Sequence, residues 1–538
     1  MIYEFKFTIL YIDGFDILKN ILYFHVKQAD LLHAEKLEEN ASDYAFYSFY
    51  IQASKKEMID FAEKISQSIP LSINFSFEEL KELEEIEGVE FKKNIDNFYE
   101  ENIFDAKLIK ETGNINSLKI VFDWLTHLKY QNQEIDTFEA FQEVLHDCVK
   151  KLLTEELVLE TTRGKKILSL NASQEKNAEL IFWDIENLKT YMSTEALQVQ
   201  SLASYEKPII ALNPKDIFRE NLGDRIFWCM LPYDLFLSAL GGMLLQQGIH
   251  YAYILSSDKE AVLSYHQKKG VSPAQNIVVS QSGIILDTQK VQGNPFSIIK
   301  AHQKELRKSF SNKKIQNQKH LIVCLSKKNP TLFWIGENGE YQSALNFSFE
   351  LNPKLVLQDI LAYKDGEKLL KNFYQVFKDT KDRIEIFNEE YKKTSNIFQF
   401  LSVVAFIAQY DKEFNIDSES ILNHARKYVR DRGPRIDYKI VKDEQQNLKL
   451  DYPKILRSVM SFLLAGVDEA TLSYGILDSM GEFFGNFIQD LCVNFSLQNV
   501  LIFGSLLEEK IFLDKILHYI PKNIYLVLPK KGYLDYYN

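Results

Sequence analysis

VLIFGSLLEEKIFLDKILHYIPKNIYLVL, residues 500–528, is the stretch that decides the fold class at the end of the chain. Val500–Phe503 and Ile524–Leu528 are short apolar runs, which are typical of buried strands. Glu508–Tyr519 lies between them and has apolar residues at helical spacing. Strand, helix and strand in this order predict a βαβ unit whose two strands are parallel. The end of the chain is therefore predicted to be α/β.

A second region of alternating strands and helices is predicted between about residues 140 and 290. The apolar runs that we interpret as strands are Leu157–Glu160, Ile167–Leu170, Ile209–Leu212, Tyr251–Leu255 and Ile277–Val279. A helix with a strongly apolar stripe precedes them, and its stripe is formed by Phe138, Phe141, Leu145, Cys148 and Leu152. Such a stripe predicts a helix that packs on the sheet.

The first part of the chain predicts a smaller α+β unit. Met1–Tyr11 alternates like a strand and is followed by a helix through His25, and Tyr44–Ile51 alternates again. Two helices are then predicted from capping-box patterns, which are Ser54-x-x-Glu57 and Ser76-x-x-Glu79. Strands and helices in this order predict a ferredoxin-like layer. The residues that follow it, 91–135, are predicted to form a helical connector.

Size and charge exclude some classes of protein. A chain of 538 residues is too long for one core, so several domains are expected. The net charge of −12 argues against nonspecific nucleic-acid binding, because phosphate contacts need a surplus of Lys and Arg. No run reaches the about 18 apolar residues of a membrane span, and the N-terminus lacks the pattern of a signal peptide. We therefore expect a cytoplasmic protein without a membrane span.

The cysteines predict neither a metal site nor a disulfide framework. The chain has four of them, far apart and in apolar surroundings, at Cys148, Cys229, Cys324 and Cys492. None belongs to a CxxC pair, so zinc and iron–sulfur sites are not indicated. Buried free thiols are the expected state.

Two short motifs in the middle of the chain indicate a family. Ser204–Leu212, SYEKPIIAL, has Lys-Pro before an apolar strand, and Met230–Tyr233 is a Met-Leu-Pro-Tyr turn before a helix. Ala140–Leu170 adds a helix, a strand, a turn and a strand in that order. With these features, residues 138–214 resemble the YrdC-like domain of the HypF-type carbamoyltransferases, which mature nickel–iron hydrogenases.

Motifs in the C-terminal half resemble the next domain of the same family. Thr394–Phe398 reads TSNIF, Ala465–Ala470 reads AGVDEA, and Val500–Gly504 reads VLIFG. Together with His320–Ile384, they are similar in order and spacing to the HypF carbamoyltransferase domain, which has an ASKHA-type fold related to actin. By its topology the first unit resembles a remnant of the family's acylphosphatase-like domain.

The resemblance implies a multidomain α/β and α+β protein with four parts. We predict a ferredoxin-like, acylphosphatase-like remnant at 1–90 and a helical connector at 91–135. A YrdC-like domain at 136–294 and a truncated ASKHA-type carbamoyltransferase-like domain at 295–538 follow. The family uses ATP, a metal and carbamoyl phosphate. By this resemblance the residues best placed to bind a nucleotide or another anion are Arg163, Lys165, Lys166, Lys328, Asn329 and Gly504.

The chain departs from the family where the family holds its ligands. Residues 1–25 lack the family's Gly- and Arg-rich phosphate loop, and residues 91–135 lack its zinc-binding cysteines. No His-rich metal motif fits between Ile384 and Thr394, and Lys530–Tyr533 replaces an Asn-Asp-Gly-Gly segment. A lysine cannot ligate a cation that an aspartate held. We therefore predict no catalytic residue, no metal ligand and no cofactor.

The leading hypothesis is a degenerate, shortened HypF homologue of the kind that accompanies membrane-bound nickel–iron hydrogenases. Such a protein would be an accessory factor without catalysis, similar to a pseudoenzyme or chaperone. Its partners would be hydrogenase subunits or other maturation proteins. An active carbamoyltransferase with relocated ATP and carbamoyl-phosphate ligands is the alternative. Binding of tRNA by a YrdC-like protein is a weaker one, because the acidic balance disfavours it.

Overall fold

The computed structural model divides the chain into two compact units, Met1–Val279 and Ser280–Asn538. The residues that it describes are 1–10, 15–39, 45–93, 115–171, 179–222, 226–268, 272–288, 290–300, 319–337, 340–387, 391–428, 430, 432–443, 448–527 and 535–537. Lys530–Tyr533 of the sequence analysis lies outside them.

The first unit begins with a four-stranded antiparallel sheet whose strand order is β2-β3-β1-β4. Its elements are β1 (Ile2–Ile9), α1 (Asp16–Gln28), β2 (Leu32–Glu39), β3 (Ala45–Gln52), α2 (Lys55–Ser68) and β4 (Phe75–Leu83). The βαββαβ order with this sheet is that of a ferredoxin-like layer. The sequence predicts such a layer, but it does not predict β2 and β4 as strands.

One of the two capping-box predictions is confirmed and the other is wrong. Ser54 caps α2: its hydroxyl accepts from the N–H of Glu57, whose carboxylate accepts from the N–H of Ser54. Ser76 and Glu79 instead lie in β4, which pairs with β1 along its whole length. A capping pattern is a weak local preference, and the long-range pairing with β1 overrides it.

The connector is only partly helical. The described part of it contains α3 (Ile115–Trp124), β5 (Leu125–Tyr130) and β6 (Gln133–Glu134). β5 pairs with a later strand, Leu263–Gln267, and with β6. These strands extend a sheet formed by residues far along the chain. No local sequence pattern indicates the pairing of β5 with so distant a strand.

A larger sheet follows in the first unit, with strand order β15-β11-β12-β9-β13-β8-β7-β14-β5-β6. Its elements are α4 (Phe138–Thr154), β7 (Leu157–Thr161), β8 (Gly164–Ser169), β9 (Glu179–Phe182), α5 (Ile185–Tyr191), β10 (Met192–Ser193), α6 (Ala196–Ala203), β11 (Ile209–Pro214), a 3-10 turn (Asp216–Phe218), α7 (Arg219–Leu222), β12 (Phe227–Met230), α8 (Leu235–Gln246), β13 (Tyr251–Ser256), β14 (Leu263–Gln267) and β15 (Asn276–Val279). All five strands predicted in this region are confirmed.

The core of this sheet is covered by α4 and α8. Phe141, Leu145, Cys148 and Leu152 of the predicted stripe are all buried in one cluster with Phe236 of α8. The packing therefore follows from the apolar periodicity of α4.

The second unit is built on a five-stranded sheet of order β20-β19-β18-β23-β24. Its elements are β16 (Ile285–Asp287), β17 (Lys290–Gln292), β18 (His320–Cys324), β19 (Leu332–Glu337), β20 (Glu340–Ser343), α9 (Pro353–Leu361), α10 (Gly366–Val376), α11 (Lys378–Ile386), α12 (Ile397–Ile407), α13 (Ser420–Ala425), β21 (Ile440–Lys442), β22 (Leu448–Leu450), α14 (Tyr452–Leu464), α15 (Glu469–Asn494), β23 (Asn499–Phe503), a 3-10 turn (Ser505–Glu508), α16 (Lys510–Tyr519), β24 (Tyr525–Val527) and β25 (Asp535–Tyr537).

The βαβ unit predicted from residues 500–528 is confirmed. β23 and β24 are parallel neighbours, and α16 connects them. β18 pairs in parallel with the other side of β23, so two parallel strands end side by side. With the ferredoxin-like layer of the first unit, this makes the chain a mixed α/β protein with more than one unit, as predicted.

All four cysteines are buried and free, as the sequence predicts. Burial raises the pKa of Cys148 to about 12 and that of Cys492 to about 11, so these thiols are poor nucleophiles. Among the helices of the described residues, none is both long enough and apolar enough to cross a lipid bilayer.

Candidate functional site

Arg163, predicted to bind an anion, is held in place by the first unit itself. Its Nη2 donates to the carbonyl oxygens of Glu206 (2.8 Å) and Lys207 (3.1 Å), and its Nε donates to that of Ser272 (3.1 Å). The guanidinium also lies 4.3 Å from the centre of the Tyr233 ring. Burial lowers its pKa to about 10. Most of its donors are thus used by the backbone.

Glu206 extends this hydrogen-bond network to the residues just before β4. Its carboxylate accepts from the Ser72 hydroxyl, from the N–H of Ile73 (3.1 Å) and from the Asn74 amide (3.0 Å). Arg163 and Glu206 therefore connect the larger sheet of the first unit to the loop before β4. Glu206 was not predicted from the sequence, where only its position beside the Lys-Pro motif distinguishes it.

The lysines of the same region do not join Arg163. The side chain of Lys165 is exposed, and Lys166 donates to the hydroxyl of Ser256 at 3.0 Å. Lys207 of the family's Lys-Pro motif is buried and donates to the carbonyl of Ala203 at 3.1 Å. Burial lowers the pKa of Lys207 to about 8. The structure therefore does not gather Arg163, Lys165 and Lys166 into one anion site.

The Met-Leu-Pro-Tyr turn positions a buried aspartate that the sequence analysis also missed. Asp234 caps α8 by accepting from the N–H of Leu237 (2.9 Å). It also accepts from the hydroxyls of Tyr265 (2.9 Å) and Thr162 (3.1 Å). Burial raises its pKa. The motif thus builds a buried corner between α8, β14 and the turn after β7.

We expect Arg163→Ala to lower the free energy of unfolding of the first unit by about 3 kcal/mol, because buried carbonyls lose a charged donor. The matched control is Lys165→Ala, which removes an exposed cation from the same turn and strand and should change stability by less than about 0.5 kcal/mol. Denaturant unfolding of both variants measures the difference. Equal stability of the two would contradict a structural role for Arg163.

In the second unit, Gly504 and Asn329 lie where β23 and β18 end. Gly504 has a φ of +123°, and a Cβ placed on it would lie 2.1 Å from the carbonyl oxygen of Leu325. Asn329 donates its amide to the carbonyl of Tyr536 (3.1 Å) and accepts from that residue's N–H (3.3 Å). The Lys328 side chain is exposed. Gly504 is therefore packed against the backbone of Leu325, and Asn329 is hydrogen-bonded to the backbone of Tyr536.

Beside them lies a buried charge cluster, here called the Glu509 cluster and formed by Lys327, Arg426 and Glu509. The Glu509 carboxylate accepts from Lys327 Nζ at 2.6 Å and from Arg426 Nη2 and Nε at 2.6 and 3.1 Å. The exposed fractions of these side chains are 14%, 10% and 6% for Lys327, Arg426 and Glu509. No local sequence pattern indicated this cluster.

The electrostatics of the Glu509 cluster favour the charged forms of Glu509 and Lys327. Burial by itself would raise the pKa of Glu509, but Arg426 and Lys327 outweigh it and lower that pKa to about 2. Burial likewise opposes the charge on Lys327, but Glu509, Glu419 and Glu508 raise its pKa. The cluster is therefore satisfied without an external ion.

Other parts of the described structure do not assemble a metal centre. Among the described residues, no group of three or more His, Cys, Asp or Glu side chains is arranged to hold a metal ion. An open cleft of about 160 Å³ lies along α15, lined in part by Tyr438, Glu482 and Phe487. None of the residues predicted to bind an anion lines it.

The fold described above resembles that of HypF. A solved structure of full-length HypF in a phosphate- and nucleotide-bound form matches with a TM-score of 0.57 and 10% identity, over 99% of this chain and 96% of that one. HypF from T. kodakarensis matches with a TM-score of 0.56 and 11% identity, over 98% and 95%. At such identities the matches show a shared fold. No family model matches the sequence.

A curated relative is more similar in sequence. The chain is 28% identical to protein HydE of Wolinella succinogenes over 543 aligned residues, which cover 96% of this chain and 97% of HydE. The resemblance to HypF-type proteins predicted from the sequence is thereby confirmed: the chain resembles HypF in fold and HydE in sequence over nearly its whole length.

Proposed function

We propose that this protein is an accessory factor in the maturation or assembly of nickel–iron hydrogenases, and that it acts by binding proteins rather than by catalysis. Its similarity to HydE and its HypF fold support the process. The observation that carries the non-catalytic role is the Glu509 cluster, which occupies the ends of β18 and β23.

The Glu509 cluster supports a non-catalytic role because of where it lies in the sheet. In open α/β sheets, ligands bind beyond the carboxyl ends of parallel strands. Here Lys327 follows β18 and Glu509 follows β23, and the two side chains pair with each other. A nucleotide phosphate at this place would have to break a buried ion pair and approach a carboxylate, which costs several kcal/mol. We therefore expect the ends of β18 and β23 to be closed to a nucleotide phosphate.

The first unit supports the same proposal. Arg163 would meet a phosphate in the YrdC-like domain of the family, but its donors hold backbone carbonyls of Glu206, Lys207 and Ser272. A cation used in this way strengthens the scaffold and cannot also form a bidentate pair with a phosphate.

The proposal also assigns the individual domains and the partners. We assign residues 136–294 to a YrdC-like domain, 295–538 to a truncated ASKHA-type domain and 1–90 to an acylphosphatase-like remnant. The partners would be hydrogenase subunits or other maturation proteins in the cytoplasm. Each of these domains would then provide a surface to which a partner protein binds.

Affinity purification tests the proposed process. The full chain, tagged and expressed in cells that produce the hydrogenase, should recover a hydrogenase subunit or a maturation protein. The matched control is the same tagged chain in cells whose hydrogenase genes are not expressed. Recovery of neither class of protein under inducing conditions would contradict the proposal.

A second function, an active carbamoyltransferase with relocated ligands, is favoured by one observation. Within the described structure, Arg163 Nη1 and Glu179 Oε2 are buried atoms without a hydrogen-bond partner. Burial raises the pKa of Glu179, although Lys166 and Arg163 oppose the shift. A polar ligand that bridged such atoms would recover part of the energy lost on burial.

Ligand titration separates the two functions. We expect no heat of binding and no shift in Tm when ATP, Mg²⁺ and carbamoyl phosphate are added to the purified chain. HypF, which has been solved with phosphate and nucleotide bound, is the positive control. Ligand at about 100 times its Kd stabilises a folded protein by about 2.7 kcal/mol, so a Tm shift would be easily seen. Such a shift with turnover would establish the second function.

A further inference from the structure

The outer edge of the ferredoxin-like layer is formed by the strand β4. β4 is the last strand of its sheet, and among the described residues it pairs only with β1. Only Phe75 of its nine residues is buried. An edge strand has a row of N–H and C=O groups that are not used by its own sheet, and another strand can pair with them.

This edge is also apolar on one face. Phe77 and Leu80 stand opposite Phe7 and Phe5 of β1, so these four side chains lie on the same face of the sheet. Phe5 and Phe7 are 2% and 0% exposed, whereas Leu80 and Phe77 are 40% and 56% exposed. The apolar layer that covers β1 therefore stops short of β4 and leaves apolar surface at the edge.

The charge along the edge is mainly negative, because Lys81, the basic residue of β4, is paired with Glu79 at 2.5 Å. Glu82, Glu84, Glu85 and Glu87 are all exposed at the end of β4 and just after it. Natural edge strands often carry charges that prevent pairing with other chains. Four like charges beside exposed Phe and Leu would discourage an acidic or identical strand but attract a basic one.

We propose that the β4 edge is a docking site for an extended, basic segment of a partner protein, which adds to the sheet as an antiparallel or parallel strand next to β4. Backbone hydrogen bonds would provide affinity, Phe77 and Leu80 would receive alternate apolar side chains, and the glutamates would select lysine or arginine. The proposal is independent of the accessory role and holds for any partner of this chemistry. Pairing of two copies through β4 is disfavoured because it brings the glutamates together.

A synthetic peptide of alternating lysine and valine is the probe. We expect it to bind the full chain in fluorescence anisotropy, with an affinity that falls as ionic strength rises. The double variant Glu82→Lys and Glu84→Lys should weaken binding by about tenfold or more. The matched control, Asp60→Lys and Glu63→Lys, makes the same charge change on exposed positions of α2 and should bind like the wild type.

Hydrogen exchange on the wild-type protein locates the peptide without any substitution. Amides of β4 should become protected when the peptide binds, and a peptide with glutamate in place of lysine should protect none. Protection elsewhere, equal weakening by both double variants, or no binding of the lysine peptide would each overturn the proposal. Dimerisation through β4 in sedimentation experiments would assign the edge to a second copy instead. None of these results depends on the affinity purification that tests the accessory role.

Discussion

Gly504→Ala is expected to lower the free energy of unfolding of the second unit by about 4 kcal/mol or more, a loss that is exceptional for one methyl group. The added Cβ would lie 2.1 Å from the carbonyl oxygen and 2.3 Å from the carbonyl carbon of Leu325, which are backbone atoms. Leu325 cannot move easily, because its N–H donates to Phe503 and its carbonyl accepts from Leu506. Denaturant unfolding of the purified variant measures the loss.

The matched control is Gly466→Ala. Gly466 also has a positive φ, of +76°, but nothing lies within 4 Å of the Cβ that a substitution would add. It should therefore lose only about 1 kcal/mol from backbone strain. If both variants were equally stable, the close approach of Gly504 to Leu325 would be refuted. A stable Gly504→Ala that lost nucleotide binding would instead give Gly504 the ligand role predicted from the sequence.

Glu509→Gln is expected to cost about 3 to 5 kcal/mol, the range for removing one partner of a buried ion pair. Lys327 and Arg426 would keep their charges in a buried place without the carboxylate that compensates them. Thermal or denaturant unfolding of the full chain measures the change. This variant also removes a carboxylate from the ends of β18 and β23, so ATP titration of it tests whether the cluster closes that site.

Glu419→Gln is the control for this substitution. Glu419 lies 3.4 Å from Lys327 and 3.9 Å from Arg426, but 44% of its side chain is exposed. Solvent screening limits such a pair to less than about 1 kcal/mol. A loss from Glu419→Gln as large as that from Glu509→Gln would show that general charge balance, rather than burial, stabilises the cluster.

The Glu509 cluster also predicts a dependence on pH. The pKa of Glu509 is lowered from 4.5 to about 2, so the folded state prefers the ionised carboxylate. A group with a lowered pKa contributes stability that is complete above its unfolded pKa and is lost as pH falls through the folded one. The wild type should lose this contribution between about pH 4.5 and 2, and Glu509→Gln should not.

Much of the fold could be predicted from local patterns. The βαβ unit of residues 500–528 and the α4 stripe follow from apolar periodicity, and the α2 capping box follows from residues three apart. The ferredoxin-like layer was predicted from a strand, a helix and a strand, although β2 and β4 were not predicted as strands. β4 and β5 were missed because pairing with a distant strand decides them, while their local patterns were weak or misleading.

The contacts of the predicted site residues could not be predicted from the sequence. Gly504 and Asn329 do meet the same end of the sheet, but each is used by its own backbone contacts. Arg163 was predicted as an anion ligand by the resemblance to the HypF family. In the structure it donates to the carbonyls of Glu206, Lys207 and Ser272, which lie 43 to 109 residues away.

By itself the sequence determined the secondary structure of the long periodic segments and the similarity to HypF, because periodicity and short motifs involve neighbouring residues. Only the tertiary structure decided what the charged residues do. Lys327 and Glu509 are 182 residues apart, and Arg426 and Glu509 are 83 apart, yet they form one buried cluster. A charge in a chain is free to pair with solvent or with any other charge, and burial in the folded protein selects its partner.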